Sequence, residues 1–246
     1  MGQQFFFFLG GNDLEMSEIK NILKANALPF ADNGLAWHNA TASAYSAQIQ
    51  QALTDGFKPV LVELKPDIAE DVLAQCVIVD HHDANIAREA SVLQVLALLG
   101  LEPNWRQRLI AANDSGYIPA MLQLGATREE IEQIRREDWK AQNISDELIN
   151  EALTAYRNAQ TVNGVLVIDM EHFCFAPVTD SAFWVQKRQN ILFKFHEGRT
   201  LYFGPDDICT KVYDTFPKCW RGKGFVGNPD ISLQAEIADL VLAQNA

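Results

Sequence analysis

The stretch Val77-Ile78-Val79-Asp80-His81-His82-Asp83 sets the interpretation of this chain. Three apolar residues lead directly into an acid, two imidazoles and a second acid. A short apolar run bounded by polar residues is typical of a buried strand in a parallel sheet. Side chains just beyond the carboxyl end of such a strand lie at the edge where α/β folds bind ligands. Asp-His pairs also cap helices or bridge loops, so this stretch alone leaves a structural role open.

Strand and helix patterns alternate on both sides of this stretch. The predicted strands are Phe5–Leu9, 59–64 and 77–79, and the predicted helices are 14–28, 38–54, 87–99 and 105–112. This alternation predicts an α/β fold with a mostly parallel sheet and helices on both faces, followed by a smaller α/β domain.

The second half of the chain begins with a highly charged helical pattern over 127–159. That charge indicates either a solvated face or a connector that carries an arginine or two into a cleft. Further strands are predicted at 165–170, 173–176, 191–195 and 200–203, and helices at 181–187, 208–216 and 231–243. We therefore expect a first domain over 1–145, a helical connector over 146–162 and a smaller α/β domain over 163–246.

Composition limits the classes of partner. The 246 residues carry a formal net charge of -12 and are 48% hydrophobic, which is typical of a globular protein. Excess negative charge disfavours long duplex nucleic acid, since binding to it requires a basic surface. It leaves room for a local basic groove that binds a short anionic substrate. Oligomeric state is not encoded here, and a homodimer is left open.

Cysteine usage and hydropathy indicate a cytoplasmic protein. The four cysteines are far apart without a CxxC pair, so we expect reduced thiols rather than a zinc knuckle or a disulfide framework. The apolar run Phe5–Leu9 lacks a basic leader and a cleavage site, which favours a strand over a signal peptide. No apolar run approaches the ~20 residues of a membrane span.

Acidic and imidazole side chains follow several predicted elements. They are Asp13 and Glu15 after the first strand, Glu63 after the second, Asp80-His81-His82 after the third, and Asp114 after a helix. Because the carboxyl ends of parallel strands meet at one edge, these groups are expected to converge. Clustered carboxylates repel one another unless a cation neutralises them, so convergence predicts a metal site. A bridging Glu63 would suit two ions about 3.5–4 Å apart.

These residues resemble the motifs of the DHH phosphoesterase superfamily. The resemblance rests on Asp80-His81-His82, on Asp13-Leu14-Glu15, on Glu63 and on Asn113-Asp114-Ser115-Gly116, and covers residues 5 to about 125. The superfamily includes RecJ-type exonucleases, oligoribonucleases, cyclic-dinucleotide phosphodiesterases and family II pyrophosphatases. It implies a two-domain fold, with Mn²⁺ or Mg²⁺ in the intervening cleft. The implied reaction is hydrolysis of a phosphodiester or phosphoanhydride bond in a small nucleotide or short oligonucleotide.

The resemblance also implies a role for each residue. Asp13 would bind one ion, Glu15 would bind the other, and Glu63 would bridge the two. His81 and Asp114 would complete the second site. Asp80 would orient His81, and His82 would face the phosphate.

Three positions depart from the family pattern. Leu9 stands where the family has a metal-binding His, and Glu15 and Glu63 stand where it has Asp. The nearest replacements for the imidazole are Asn12 and His38. We expect a first metal site that is altered, single-metal or empty, so one or two ions are left open. The alternative function is a catalytically degenerate DHH-like protein that binds a nucleotide or a partner protein without turnover.

A glycine-rich segment near the carboxyl end, 220–228, resembles in position the substrate loop of the family's accessory domain. Glycines between cations let backbone amides approach a phosphate. The predicted substrate-binding residues are Arg221, Lys223, Gly224 and Asn228. The alternative is an ordinary surface turn before the last helix.

Overall fold

The computed structural model describes residues 3–82, 85, 87–185, 190–222 and 224–246. The chain forms two compact units, unit 1 (Met1–Asn143) and unit 2 (Ile144–Ala246). Each has its own sheet with helices packed on it, which confirms the predicted two-domain α/β architecture. Residues 146–162, predicted as a connector, form a helix and a strand of unit 2. In the described part of the chain, every helix is too short or too polar to cross a bilayer.

The sheet of unit 1 is fully parallel. Its strands are β1 (Phe5–Leu9), β2 (Phe30–Ala31), β3 (Lys58–Val62) and β4 (Val77–Val79), in the order β2-β1-β3-β4. Leu9 pairs with Val62, and Val62 pairs with Val79, so three strands end at the same level. The residues that follow these strands are therefore brought to one edge.

Helices cover both faces of this sheet, because successive strand side chains point in opposite directions. The helices of unit 1 are α1 (Leu14–Ala25), α2 (Ser46–Thr54), α3 (Glu70–Leu73), α4 (Ser91–Leu99), α5 (Trp105–Gln123) and α6 (Arg128–Ala141). Phe7 and Leu9 pack with apolar residues of α1 and α4. Phe8 and Leu61 pack with residues of α2 on the opposite face.

The helix predicted over 38–54 is wrong in its first half. Trp37–Asn39 and Ala42–Tyr45 are short 3₁₀ turns, and the α-helix begins at Ser46. The reason is a backbone pairing that a helix cannot make. The Ala42 N–H donates to the Lys65 carbonyl at 2.9 Å, and the Lys65 N–H donates to the Ala40 carbonyl at 3.0 Å.

Unit 2 is a six-stranded mixed sheet with helices on both faces. Its strands are β5 (Gln160–Val162), β6 (Val165–Met170), β7 (Ile191–Phe195), β8 (Thr200–Phe203), β9 (Trp220–Gly222) and β10 (Phe225–Asn228), in the order β5-β6-β7-β8-β10-β9. Its helices are α7 (Asp146–Arg157), α8 (Ala176–Val185), α9 (Asp206–Thr215) and α10 (Gln234–Gln244). Only β6 and β7 pair in parallel among the described strands of this sheet. Residues of α7 and α8 pack on one face, and those of α9 and α10 on the other.

The strand predicted over 173–176 is also wrong. Helix α8 already begins at Ala176, with Pro177 in its first turn, where proline is well tolerated. Phe173 and Phe175 join the same aromatic cluster, with ring centroids 5.2 Å apart.

Gly10, just after β1, lies too close to β3 to carry a side chain. A Cβ there would lie 2.5 Å from the Glu63 carbonyl oxygen and 2.8 Å from that of Val62. Because both atoms belong to the backbone, we expect Gly10→Ala to lower the free energy of unfolding in urea by about 1–3 kcal/mol.

Gly34→Ala is the matched control for this substitution. A Cβ at Gly34 meets open space, and its φ of +62° costs about 1 kcal/mol through the backbone alone. If Gly10→Ala destabilises no more than Gly34→Ala, the proposed steric constraint is wrong.

Candidate metal centre

Glu63 follows β3 directly and has an unusual backbone conformation. Its φ of +50° lies in the left-handed region, which residues with a Cβ rarely adopt. Its N–H still donates to the Val79 carbonyl at 2.8 Å, and its side chain is buried. Residues held in such conformations concentrate at functional sites. Glu63 is thus a buried acid on a strained turn at the carboxyl edge of the sheet.

His81 lies at the centre of a group of acidic side chains. Its Nε2 is 2.5 Å from Asp114 Oδ2, 3.3 Å from Glu63 Oε1 and 3.5 Å from Glu15 Oε2. We term these four residues the acidic centre. His82 lies beside it, and one possible ligand atom from each of Glu63, His81, His82 and Asp114 falls within 4.8 Å of the others. The structure thus brings together four of the five residues predicted as metal ligands.

The atoms that face one another in the acidic centre are buried and poorly satisfied. Glu15 Oε2, both Glu63 carboxylate oxygens, His81 Nε2 and Asp114 Oδ2 have no hydrogen bond of normal geometry to any described residue. Buried polar groups are normally paired, and a buried charge without a partner is costly. A divalent cation would satisfy all of these atoms. Carboxylates with an imidazole are a ligand set that suits Mn²⁺ or Zn²⁺, so the residues present fit a transition-metal site.

Two helix starts fix the side chains of Glu15 and Asp13. Glu15 Oε1 accepts the Val92 N–H at 2.9 Å, at the start of α4, and this bond leaves Glu15 Oε2 to face His81. Asp13 is the N-cap of α1, where its Oδ1 accepts the Met16 N–H at 2.8 Å. Asp13 is buried and lies near enough to Glu63 and Asp114 for their charges to raise its pKa. It is the remaining predicted ligand.

The charges of the centre shift several pKa values. Burial favours the neutral form of His81, but close contacts with Asp114, Glu15 and Glu63 outweigh it and raise the pKa of His81 to about 12. Burial raises the pKa values of Glu15 and Asp13 well above their usual range. Glu63 is also buried, but contacts with His81 and Glu15 lower its pKa. In the metal-free centre, the proton on His81 therefore provides the positive charge that a cation would supply.

Asp80 interacts with His82 and not with His81, which it was predicted to orient. Its Oδ1 accepts the His82 backbone N–H and lies 3.0 Å from His82 Nδ1, and its Oδ2 accepts the Asn85 side-chain amide at 2.8 Å. The turn after β4 brings the backbone of residue 82 back to the Asp80 carboxylate. This contact places the Nδ1 proton of His82 on the Asp80 side and leaves Nε2 for a ligand. His82 is partly exposed, whereas His81 is buried.

Asp114 lies inside α5, whereas it was predicted to follow a helix. Three residues later Tyr117 interrupts the helix with φ +59° and ψ -153°. Asn113, next to Asp114, accepts a hydrogen bond from Arg135 Nη1 at 2.9 Å, and the Arg135 guanidinium lies 4.7 Å from the Tyr117 ring centroid. Arg135 therefore braces the segment that presents Asp114.

Arg135 and Asp138 were not predicted as parts of the site. Both are buried in α6, where Arg135 Nη1 donates to Asp138 Oδ2 at 2.7 Å. A signal was present in the sequence. Together with Ile131 and Ile134 they occupy positions i, i+3, i+4 and i+7, the spacing of a buried helical stripe.

Neither Leu9 nor Asn12 supplies the imidazole of the family pattern. Leu9 is fully buried in the apolar core between the sheet and α1, so it offers no ligand. Asn12 is exposed. The side chain of His38 lies outside the described part of the structure.

The predicted substrate loop has structural partners in unit 2. The Gly224 N–H donates to the Asp206 carboxylate at 3.1 Å, and Asn228, which is buried, donates to the Pro217 carbonyl at 2.8 Å. Arg221 bonds to the Thr210 hydroxyl. Lys223 lies outside the described residues. These contacts favour the alternative of a structural turn, and a substrate-binding role for the loop stays a prediction.

Comparisons with known proteins give only weak likenesses. Neither a protein-family model nor a curated protein matches this chain. Among solved structures, the pGpG-specific phosphodiesterase PggH from Vibrio cholerae matches over 99% of both chains, with 11% identity and a TM-score of 0.45. An uncharacterized protein from Helicobacter pylori G27 matches over 97% of this chain and 99% of its own, with 12% identity and a TM-score of 0.34. Scores this low carry no argument about function.

Metal binding at the acidic centre should compete with the proton on His81. Because the pKa of His81 is raised to about 12, a metal must displace a bound proton even above neutral pH. We expect the apparent Mn²⁺ association constant to rise about tenfold per pH unit from roughly pH 6 to 8.5 under anaerobic conditions. Calorimetry in two buffers of different ionisation enthalpy would count the released proton. An ordinary imidazole would give a plateau above about pH 7, and that outcome would refute the shift.

Asp13 should destabilise the metal-free protein at neutral pH. Its raised pKa means that folding favours the protonated carboxyl, so the penalty is absent below its ordinary pKa of about 4 and grows as the pH rises above it. Asn keeps the cap on Met16 without the charge. We expect Asp13→Asn to raise the metal-free Tm at pH 7.5 by at least about 2 °C and to reduce the Tm increase caused by Mn²⁺.

Asp32→Asn is the opposite control for Asp13→Asn. Burial works to raise the pKa of Asp32, but contacts with Lys20 lower it overall, so its charge favours the folded state. We expect this variant to lower the metal-free Tm and to keep the full response to Mn²⁺. A lower metal-free Tm in Asp13→Asn would show that the Asp13 charge does not destabilise the metal-free protein.

Proposed function

We propose that this chain is a divalent-metal-dependent phosphoesterase and a divergent member of the DHH phosphoesterase superfamily. It hydrolyses a phosphodiester or phosphoanhydride bond in a small nucleotide or short oligonucleotide. The observation that carries the proposal is the acidic centre, in which buried and unsatisfied atoms of three acids surround His81 at the carboxyl edge of a parallel sheet. The motif order that resembles the superfamily predicts these same four residues as one metal site.

The ligand set indicates Mn²⁺, with Mg²⁺ as the alternative. Glu15, Glu63, His81 and Asp114 would hold one ion, and Asp13 with Glu63 are the residues available for a second. An imidazole ligand favours Mn²⁺ over Mg²⁺, which prefers oxygen ligands and water. A divalent ion held there supplies Lewis-acid stabilisation of phosphoryl charge and acidifies water at neutral pH.

The chain's own residues would orient the phosphate and handle a proton. Asp80 fixes the His82 ring through Nδ1, and the imidazolium form of His82 would donate from Nε2 to a phosphate oxygen at the edge of the centre. Developing negative charge on that oxygen would strengthen this bond in the transition state.

A second function remains, because Leu9 replaces a family ligand with a buried apolar side chain. In this alternative the chain binds a nucleotide or a partner protein at the same edge without turnover. The two functions differ on hydrolysis, so activity measured in the presence of Mn²⁺ separates them.

The test is hydrolysis of bis-(4-nitrophenyl) phosphate and of short oligonucleotides by the Mn²⁺-loaded protein. We expect His81→Ala and Asp114→Asn each to lower kcat/KM at least about 100-fold, more than the loss of a residue that only supports a ligand. The metal content of each variant, measured by mass spectrometry, should fall in parallel.

His172→Ala is the matched control for His81→Ala. His172 is an exposed imidazole in unit 2 that also contacts an acid, Glu151 at 2.9 Å. This variant should keep wild-type activity and metal content. Activity that survives both substitutions in the acidic centre would exclude the assigned site. Metal binding without hydrolysis of any substrate would favour the alternative.

A further inference from the structure

Trp37 is an exposed aromatic side chain beside the acidic centre. It follows β2, and 45% of its surface is exposed. Its ring packs edge-on against His82, with centroids 5.3 Å apart and planes at 67°. The His82 ring in turn lies 4.4 Å from the His81 ring. Trp37 is therefore separated from the metal-ligating imidazole by one side chain.

The chain makes room for this indole at a specific place. Gly11, in the loop between β1 and α1, lies under the ring, and a Cβ there would fall 2.9 Å from Trp37 Cδ2. The ring thus rests on the loop that leads to Asp13 and touches the turn that carries His82. Both contacts fix the indole against the loops of the site.

Trp37 keeps apolar ring area in contact with solvent beside the acidic centre. A buried indole stabilises a fold through its large apolar area, and an exposed one forgoes much of that gain. Trp37 keeps 45% of its surface accessible to a ligand. Nucleobases stack on exposed aromatic rings, and the interaction tolerates any base because every base has a π-face.

We propose that Trp37 is the stacking platform for a nucleobase of the substrate, which makes the acidic centre selective for nucleotides over phosphoesters without a base. This inference rests on the proposed function, because it assumes that His82 contacts the phosphate of the same nucleotide. The His82–Trp37 contact places a phosphate site and a base site side by side. The predicted substrate class narrows accordingly to nucleotides and short oligonucleotides.

The kinetic test uses two esters with the same leaving group. Thymidine 5′-(4-nitrophenyl phosphate) carries a base, and methyl 4-nitrophenyl phosphate does not. We expect Trp37→Ala to lower kcat/KM for the thymidine ester about tenfold, mainly through KM, and to change the methyl ester by less than about twofold. Trp37→Phe keeps an aromatic face and should recover most of the loss.

Trp105→Ala is the matched control. Trp105 is another exposed tryptophan of unit 1 and donates its indole N–H to Glu130 at 2.8 Å. Its loss should change neither ester. Equal losses for both esters in Trp37→Ala would show that Trp37 only positions His82 and would overturn the proposal. Unchanged rates for both esters would overturn it as well.

A binding measurement separates this proposal from the proposed function. If the wild-type protein with Mn²⁺ hydrolyses neither ester, the phosphoesterase function fails, but calorimetry with adenosine 5′-monophosphate and ribose 5-phosphate still tests stacking. We expect Trp37→Ala to weaken the first ligand about tenfold and to leave the second unchanged. If the wild-type protein binds both ligands equally, or if the variant binds the first as the wild type does, Trp37 is not a base platform.

Discussion

Electrostatic repulsion among buried carboxylates is the constraint around which unit 1 is organised. Glu15, Glu63 and Asp114 lie 2.5–3.5 Å from His81 Nε2. Their negative charges repel one another unless a positive charge lies between them. Three local features hold them there: the bond from the Val92 N–H to the Glu15 carboxylate, the bond from the Glu63 N–H to the Val79 carbonyl, and the interruption of α5 at Tyr117. This repulsion destabilises the fold at the carboxyl edge, and the two apolar layers on either side of the sheet offset it.

Much of this arrangement could be predicted from sequence, because it depends on local patterns and on one rule of topology. Apolar runs gave β1 and β4 with their observed bounds, since a buried parallel strand is apolar on both faces. Convergence of the acids followed from the common edge of parallel strands. The fully parallel register of β1, β3 and β4 is what brings Glu63 and His81 together.

Other features were missed because they depend on contacts that local patterns do not encode. The partner of Asp80 is set by the path of a tight turn, and either imidazole was possible from sequence. Trp37 was missed because the sequence after it has a helical pattern. Pairing with Lys65 replaces the start of that helix by 3₁₀ turns, and this pairing is not visible in the local sequence. The charged pattern that contains Arg135 and Asp138 indicated either a solvated face or a connector that carries an arginine or two into a cleft. Their burial follows from their helical spacing relative to Ile131 and Ile134, which places all four residues on one buried stripe of α6.

The bond from Glu15 to the first turn of α4 accounts for the length of its side chain. One carboxylate oxygen accepts the N–H of Val92, which lies 77 positions further along the chain, while the other faces His81. An aspartate, shorter by one methylene, would have to give up one of these contacts. The DHH pattern that this sequence resembles has Asp at this position, and the longer Glu side chain matches the local distance between helix and sheet. Any change that moves α4 along its axis would be transmitted directly to the ligand geometry.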